Sequence, residues 1–362
     1  MAPETLPYVS VVVPARNAAR TLADCIRSLV CVDYPPARRE ILIVDNGSTD
    51  DSRTIIEQFP VTYLSESRRG PSHARNRGIE SSHGEIIAFT DADCVVTSRW
   101  LRSLIACFDE DDVWAVAGEI LAYPPHTWAE YYMARRRRCW QRAALLAARP
   151  YMVTANVAFR RRTFDRIGLF DPRFITGQDQ DFSWRFLRAG LAIRYAPAAV
   201  VHHRHRAGPQ DFFVQQLGWA RGAVLLRRHH RLPWGFRAEL AEYRRLLRAA
   251  AALPVAASRA VFGPQRKSDL HYPLYDLLRE VAWRAMSLSL AVAWIGRPLS
   301  TAAARALRRP GIPGLFRSAR RSGSERLKGR AYVGEVPQRR RCTGQASSQN
   351  AATTSSSQPQ LW

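Results

Sequence analysis

Apolar and polar residues alternate in blocks over the first 90 positions. Val9-Ser10-Val11-Val12-Val13 reads as a strand, Ala18 to Val30 as an amphipathic helix, and Ile41-Leu42-Ile43-Val44 as a second strand. A helix is expected over Asp51 to Gln58, a third strand over Val61 to Leu64, a helix over Ser72 to Ser82 and a fourth strand over Glu85 to Thr90. Strands alternating with helices at this spacing imply an α/β fold with a mostly parallel, Rossmann-like sheet flanked by helices. Ligands of such sheets sit outside the carboxyl ends of the strands. Pro14-Ala15-Arg16-Asn17, Asp45-Asn46-Gly47-Ser48, Ser67-Arg68-Arg69-Gly70-Pro71 and Asp91-Ala92-Asp93 are therefore expected on one rim.

From Val113 to about Ala220 the pattern is less regular, with a helix expected over Trp128 to Ala148 and another over Asp179 to Ala189, where Gly190 suits the C-terminal stop. Residues 223–299 read as an Arg- and Leu-rich helical extension. Beyond them the composition turns to Arg, Ser, Gly and Gln, which cannot bury enough apolar surface to order itself. The expected division is a main domain over 8–222, the helical extension over 223–299 and a basic, disordered tail over 300–362.

Composition adjusts this picture in three ways. The chain has 362 residues, 46% of them hydrophobic, enough for one sizeable core with appendages. Its net charge of +23 would ordinarily raise nucleic acid or an anionic membrane as partner. Only Lys267 and Lys328 are lysines, however, and the segment from Ser300 carries +10 of the total, so nucleic-acid binding is not the expected function. The six cysteines form no C-x-x-C pair, which suits a reducing compartment. Met1 to Pro7 lacks the features of a signal peptide, and the longest apolar stretch, Ala285 to Ile295, is about half the roughly 20 residues of a membrane span. A cytoplasmic protein without a transmembrane helix is expected. The group Trp128, Tyr131, Tyr132, Arg135, Arg136, Arg137, Arg138, Trp140 and Arg142 suits peripheral contact with an anionic membrane surface or a lipid-phosphate acceptor, or equally a solvated helix face.

The densest candidate chemistry is Asp91-Ala92-Asp93, which ends the apolar run Glu85 to Thr90. On a strand, residues two apart share a face, so both carboxylates can serve one hard cation such as Mg²⁺ or Mn²⁺. The D-x-D pattern recurs at Asp109-Glu110-Asp111 and Asp179-Gln180-Asp181, but only the first instance caps an apolar strand.

With Val11 to Asn17, Ile43-Val44-Asp45-Asn46-Gly47-Ser48-Thr49-Asp50, Gly70-Pro71-Ser72-His73-Ala74-Arg75-Asn76-Arg77-Gly78 and Ile175-Thr176-Gly177-Gln178-Asp179-Gln180-Asp181-Phe182-Ser183-Trp184-Arg185, residues 8 to 222 resemble the inverting family 2 glycosyltransferases of GT-A fold. The resemblance implies a nucleotide-diphospho-sugar donor, expected to be UDP-linked, and transfer of one sugar to a glycan, lipid-linked or small-molecule acceptor, as in cell-envelope glycan synthesis. It places Pro14, Ala15 and Arg16 beside the nucleotide, Asp45 on the nucleobase and Gly47 in the turn after it. Arg75 and Asp91 fall on the diphosphate and ribose side, and Asn156 of Thr154-Ala155-Asn156-Val157-Ala158-Phe159-Arg160-Arg161 near the donor sugar. Asp93 becomes the direct ligand of Mn²⁺ or Mg²⁺, with Asp91 beside it and His203 a further candidate.

Asp179 matches the family's general base, with Gln178 and Trp184 on the acceptor side. Gln178 stands where the family usually has Glu, and an amide can orient an acceptor but cannot take its proton. Gln215-Gln216-Leu217-Gly218-Trp219 resembles the Q-x-x-R-W of processive synthases with Gly218 in place of Arg, which argues for single-sugar transfer. Read from the residues alone, Asp45 suits a cap of the following helix equally well, and Asp181 reads as a first-turn helix acid. A nucleotidyltransferase would be expected to carry a glycine-rich loop after the first strand, and Pro14 to Asn17 has no glycine. A non-catalytic sugar-nucleotide or glycan-binding protein is the remaining alternative.

Overall fold

A computed structural model describes residues 6–136, 141–232, 236–262 and 268–295. The expected tail over 300–362, together with Arg137, Arg138 and Trp140, lies outside the described residues. Eight strands form one sheet: β1 (Val9–Ala15), β2 (Arg39–Asp45), β3 (Thr62–Ser65), β4 (Ile86–Thr90), β5 (Cys94–Val96), β6 (Val113–Ala122), β7 (Asn156–Arg160) and β8 (Ala192–His203), in the order β3-β2-β1-β4-β7-β6-β8-β5. The first half is the parallel unit that the sequence pattern predicts, with Val13 opposite Ile43 on β2 and Val12 opposite Phe89 on β4.

The second half departs from it. β7 runs antiparallel to both β4 and β6, and β5 runs antiparallel to β8, so the sheet is mixed. The order of the strands reverses at β1, which lies between β2 on one side and β4 on the other, and this opens a crevice beyond their carboxyl ends.

Alternation along β1 and β4 divides the core. Val9, Val11, Val13, Ile86 and Ala88 face α1 (Ala19–Val30) and α4 (Trp100–Ile105), where Leu22, Ile26, Leu29, Trp100 and Leu104 are buried. Val12, Ile87 and Phe89 face the opposite layer, made by α3 (Pro71–Ser81), α7 (Arg162–Ile167) and α8 (Gln178–Arg188). There Phe89, Phe159, Phe164, Phe170 and Phe182 form one aromatic cluster, with Phe170 stacked on Phe182 at 4.5 Å. Each fully buried Phe contributes about 1.5–3 kcal/mol of burial.

The helix expected over Asp51 to Gln58 shortens to α2 (Ser52–Ile56). The one expected over Trp128 to Ala148 is described as α5 (Trp128–Arg136) and α6 (Gln141–Leu145). The expected boundary at 222/223 falls inside α9 (Pro209–His229), which packs against α11 (Ser268–Ile295), itself paired with α10 (Phe236–Phe262). Much of the basic-aromatic group around Trp128 turns inward to make this interface. Tyr132 is fully buried against Phe212 and Tyr275, Arg136 pairs with Asp276, Arg135 lies over the Tyr272 ring at 4.6 Å, and Trp128 stacks on His271. Among the described residues, no helix is long and apolar enough to cross a membrane.

Candidate active site

A cleft of about 750 Å³ opens where the order of the strands predicts it, beyond β1 and β4. Pro14, Ala15, Arg16, Arg75, Asp91, Asp93 and Gln178 all line it. Asp45, Gly47, Asn156, Asp179, Trp184 and His203 are not among its lining residues.

The nucleotide side is built by two turns. Asp45 is buried, and its Oδ1 accepts the Ser48 backbone N–H at 3.0 Å while its Oδ2 accepts the Tyr63 hydroxyl at 3.4 Å. It thus closes the turn in which Gly47 adopts φ +70. Asn46, which the sequence reading passed over, holds the neighbouring loop. Its Nδ2 donates to the carbonyls of Glu66 and Arg68, and its Oδ1 accepts the Gly70 N–H at 2.8 Å. That fixes Gly70 and Pro71, the start of α3, at the cleft. The available signal was a buried-strand end followed by an amide side chain, which can bridge two backbone segments at once.

The carboxylate pair is carried by a turn and not by one strand face, as expected from the D-x-D spacing. β4 ends at Thr90, and Cys94 N–H donates back to the Asp91 carbonyl at 3.0 Å. This turn starts β5, whose Cys94 pairs with His203 on β8, bringing His203 Nε2 to 3.5 Å from Asp93 Oδ1. Asp91 accepts from Arg75 Nη2 at 2.7 Å; the guanidinium is 3% exposed, and its Nε and Nη1 have no partner. Asp93 Oδ1, whose nearest polar neighbour is that His203 Nε2, and His203 Nδ1 are likewise buried without a hydrogen bond.

These unsatisfied atoms are the observation that tests for a cation. A carboxylate oxygen sealed from water without a donor is costly, whereas a hard divalent ion would satisfy it. The residues present therefore fit one: Asp93, Cys94 and His203 bring ligand atoms within 4.8 Å of one another, and Asp91 lies beside them in the same turn. His205, also on the cleft, is held down to about 3 by burial and then by the His203 ring beside it, so it is a neutral imidazole. The loop carrying it is anchored to α1 by Arg204, which donates to Asp24 at 2.6 Å and lies over the Tyr123 ring. His205 and Arg204 belong to the His202 to Arg206 run, where the sequence marked only His203.

On the other side α8 begins with Gln178 and Asp179. Burial pushes the Asp179 carboxyl up to about 6 against the pull of the Arg75 guanidinium; its Oδ1 accepts the Gln180 N–H at 2.9 Å. Gln178 Oε1 is buried and without a partner at the cleft. Trp184 lies further along α8, edge-on to His230 at 5.0 Å. Asn156, expected near the donor sugar, has its whole amide engaged by the protein core. It is fully buried, its Oδ1 accepts Trp100 Nε1–H, and its Nδ2 donates to the Glu119 and Ala199 carbonyls, each at 2.8 Å. The other two D-x-D matches have other partners, although Asp181, with His229 and His230, is a second group whose ligand atoms lie within 4.8 Å of one another. Asp109 and Glu110 pair with Arg194 on the surface, and Asp181 is taken by Arg185 and His230.

The sequence profile of glycosyl transferase family 2 matches residues 10–168. Glycosyltransferase AglE of Haloferax volcanii is 31% identical over 210 residues, which is 56% of this chain and 68% of that protein. The pre-mycofactocin glycosyltransferase of Mycobacterium tuberculosis is 29% identical over 236 residues, 61% of this chain and 48% of that one. The chain thus spans about half the length of that second relative. Among solved structures, the mannosyltransferase PcManGT from Pyrobaculum calidifontis, in complex with GDP-Man and Mn²⁺, aligns over 84% of this chain and 80% of its own at 20% identity and a TM-score of 0.48.

Proposed function

Because the chain belongs to glycosyltransferase family 2, and is therefore an enzyme of glycosyl transfer, we propose that it moves a single sugar from a nucleotide-diphospho-sugar, UDP-linked, to an acceptor hydroxyl with inversion. The observation that carries this reading is the floor of the cleft. Two guanidinium nitrogens of Arg75 and one Asp93 oxygen, none of them hydrogen-bonded, lie buried there around Asp91. A diphosphate needs cationic donors and a divalent ion at one place, and this floor offers the donors and a carboxylate oxygen that would hold the ion.

The nucleoside end falls to Asp45, with Arg16 beside it. Arg16 Nη1 is fixed on the Asn46 carbonyl at 2.9 Å, which aims its remaining N–H groups into the cleft mouth. Arg75 donates to the diphosphate. Asp93, Asp91 and His203 hold Mn²⁺ or Mg²⁺, which when bound neutralises the charge that develops on the departing diphosphate. Asp179 takes the proton of the acceptor hydroxyl, and a carboxyl near 6 is deprotonated at neutral pH yet basic enough for the transfer. Gln178 Oε1 accepts a hydrogen bond from the acceptor and orients it.

The test is sugar transfer from a panel of nucleotide-sugars by wild type, Asp93→Ala and Asp179→Asn. Each variant is expected to lose at least about 100-fold in kcat, in line with removal of one group acting in the transition state. A correctly folded Asp179→Asn enzyme working at the wild-type rate would remove the base from this mechanism.

A further inference from the structure

Helix α9 carries a stripe of residues four apart, Gly218, Gly222, Leu226 and His230 at its C-cap, and every one of them meets the segment that bears Asp179. Residues i and i+4 share one helix face, so these four contacts form a single line about 18 Å long. At one end the Thr176 hydroxyl donates to the Gly218 carbonyl at 2.6 Å. One turn on, a Cβ at Gly222 would lie 2.3 Å from Thr176 Oγ1 and 2.5 Å from its carbonyl oxygen, so only glycine lets the loop backbone reach the helix. A Cβ at Gly177 would stand 2.6 Å from Leu226 Cδ1, and Gly177 has the left-handed φ of +84 that starts α8.

At the far end, the imidazole of His230 reaches Asp181. Asp181 is fully buried; its Oδ1 takes His230 Nε2–H at 2.9 Å and its Oδ2 takes Arg185 Nε at 2.9 Å, while Arg185 also binds the Ile167 and Leu169 carbonyls. Arg188 donates to the other ring nitrogen, Nδ1, at 3.3 Å, which assigns the proton to Nε2 and makes the ring neutral.

We propose that α9 is the positioning element of the reaction, with Thr176, Gly222 and His230 as positioning residues that hold Asp179 at the acceptor. The inference rests on the base role given to Asp179 above. Asp179 lies two residues after Gly177 and two before Asp181, so the backbone on both its flanks is tied to one rigid helix. None of the three positioning residues lines the cleft, so each acts only through Asp179 and its neighbours. The extension beyond residue 222 gains a role as well. α11 backs α9 through the Phe212–Tyr275 contact and Trp283 Nε1, which reaches Gln216 Oε1 at 3.4 Å.

Steady-state transfer kinetics of Gly222→Ala, His230→Ala and His230→Gln, beside Asp179→Asn and the solvent-facing α9 control Val214→Ala, test this. A displacement of about 1 Å at a reacting group costs about 100-fold. The first two variants are therefore expected to lose about 10- to 100-fold in kcat, with donor KM within about twofold and with the thermal shift from UDP and Mn²⁺ retained. His230→Gln, whose amide can still donate to Asp181, recovers most of the loss, and Val214→Ala keeps the wild-type rate. Wild-type kcat in folded Gly222→Ala and His230→Ala, with Asp179→Asn inactive, would overturn the positioning role and leave the base in place. An active Asp179→Asn would overturn the base, and the positioning role with it. Loss of kcat in equal measure with the UDP shift would mark general destabilisation and also overturn the proposal.

Discussion

Asp179 illustrates how one buried carboxyl trades stability for chemistry. Burial favours its protonated form, so the folded state holds that proton up to about pH 6 whereas the unfolded chain releases it near 3.8. Its contribution to stability is therefore fully present below the unfolded value and declines as pH rises through 6. The full shift corresponds to at most about 3 kcal/mol, and to less here because the residue is partly exposed. Chemical denaturation at pH 3.5 and pH 8 is expected to find Asp179→Asn more stable than wild type at pH 8 only, while wild-type kcat/KM climbs through pH 6 and that of the variant stays low and flat. Gln178 beside it cannot titrate, so one acidic limb is expected and not two. The residue types and spacing made Asp179, Asp93 and Arg75 legible as candidates. The change in Asp179 acidity was not legible, because it comes from atoms packed around it by α3 and the end of β4.

Among the elements, β7 has the largest consequence that the sequence pattern did not convey. Its insertion antiparallel between β4 and β6 places Asn156 at the junction of three strands and α4, where one amide serves Trp100, Glu119 and Ala199. Replacing it leaves a buried indole N–H and two carbonyls without partners, at about 1–3 kcal/mol for each unsatisfied group. Asn156→Ala is expected to lower unfolding free energy by about 3 kcal/mol or more in urea, with donor KM unchanged in the folded fraction. A large rise in donor KM at unaltered stability would instead return Asn156 to the donor site. The stretch Thr154 to Arg161 is legible as a family motif that places Asn156 near the donor sugar, but an Asn that satisfies a core and one that contacts a sugar look alike in one dimension. The helices fared similarly: β1 to β4 and α3 follow from apolar periodicity, whereas α9 crosses the boundary expected at 222 because its partners, Thr176 and α11, are remote in sequence.

For the molecule as a whole, the cleft couples folding to donor binding. A ligand that binds only the folded state at about 100 times its dissociation constant adds about 2.7 kcal/mol. UDP with Mn²⁺ is expected to raise the melting temperature by a few degrees, EDTA to abolish most of that rise, and Asp93→Ala to be insensitive to both. An equal shift in Asp93→Ala would detach the cation from this carboxylate.

The sequence by itself determined the α/β class, the strands and helices of the first 90 residues, the rim they share and the ordered motifs that identify the family. All of these are set by local periodicity and by residue types at short spacing. Tertiary structure decided the rest. A turn, not a strand face, aims Asp91 and Asp93. Pairing of β5 with β8 brings His203 to Asp93 from 110 residues away. The stripe on α9, which straddles the expected end of the domain, fixes the segment bearing Asp179. These are contacts between segments far apart in the chain, and long-range packing leaves no period in the sequence from which to read it.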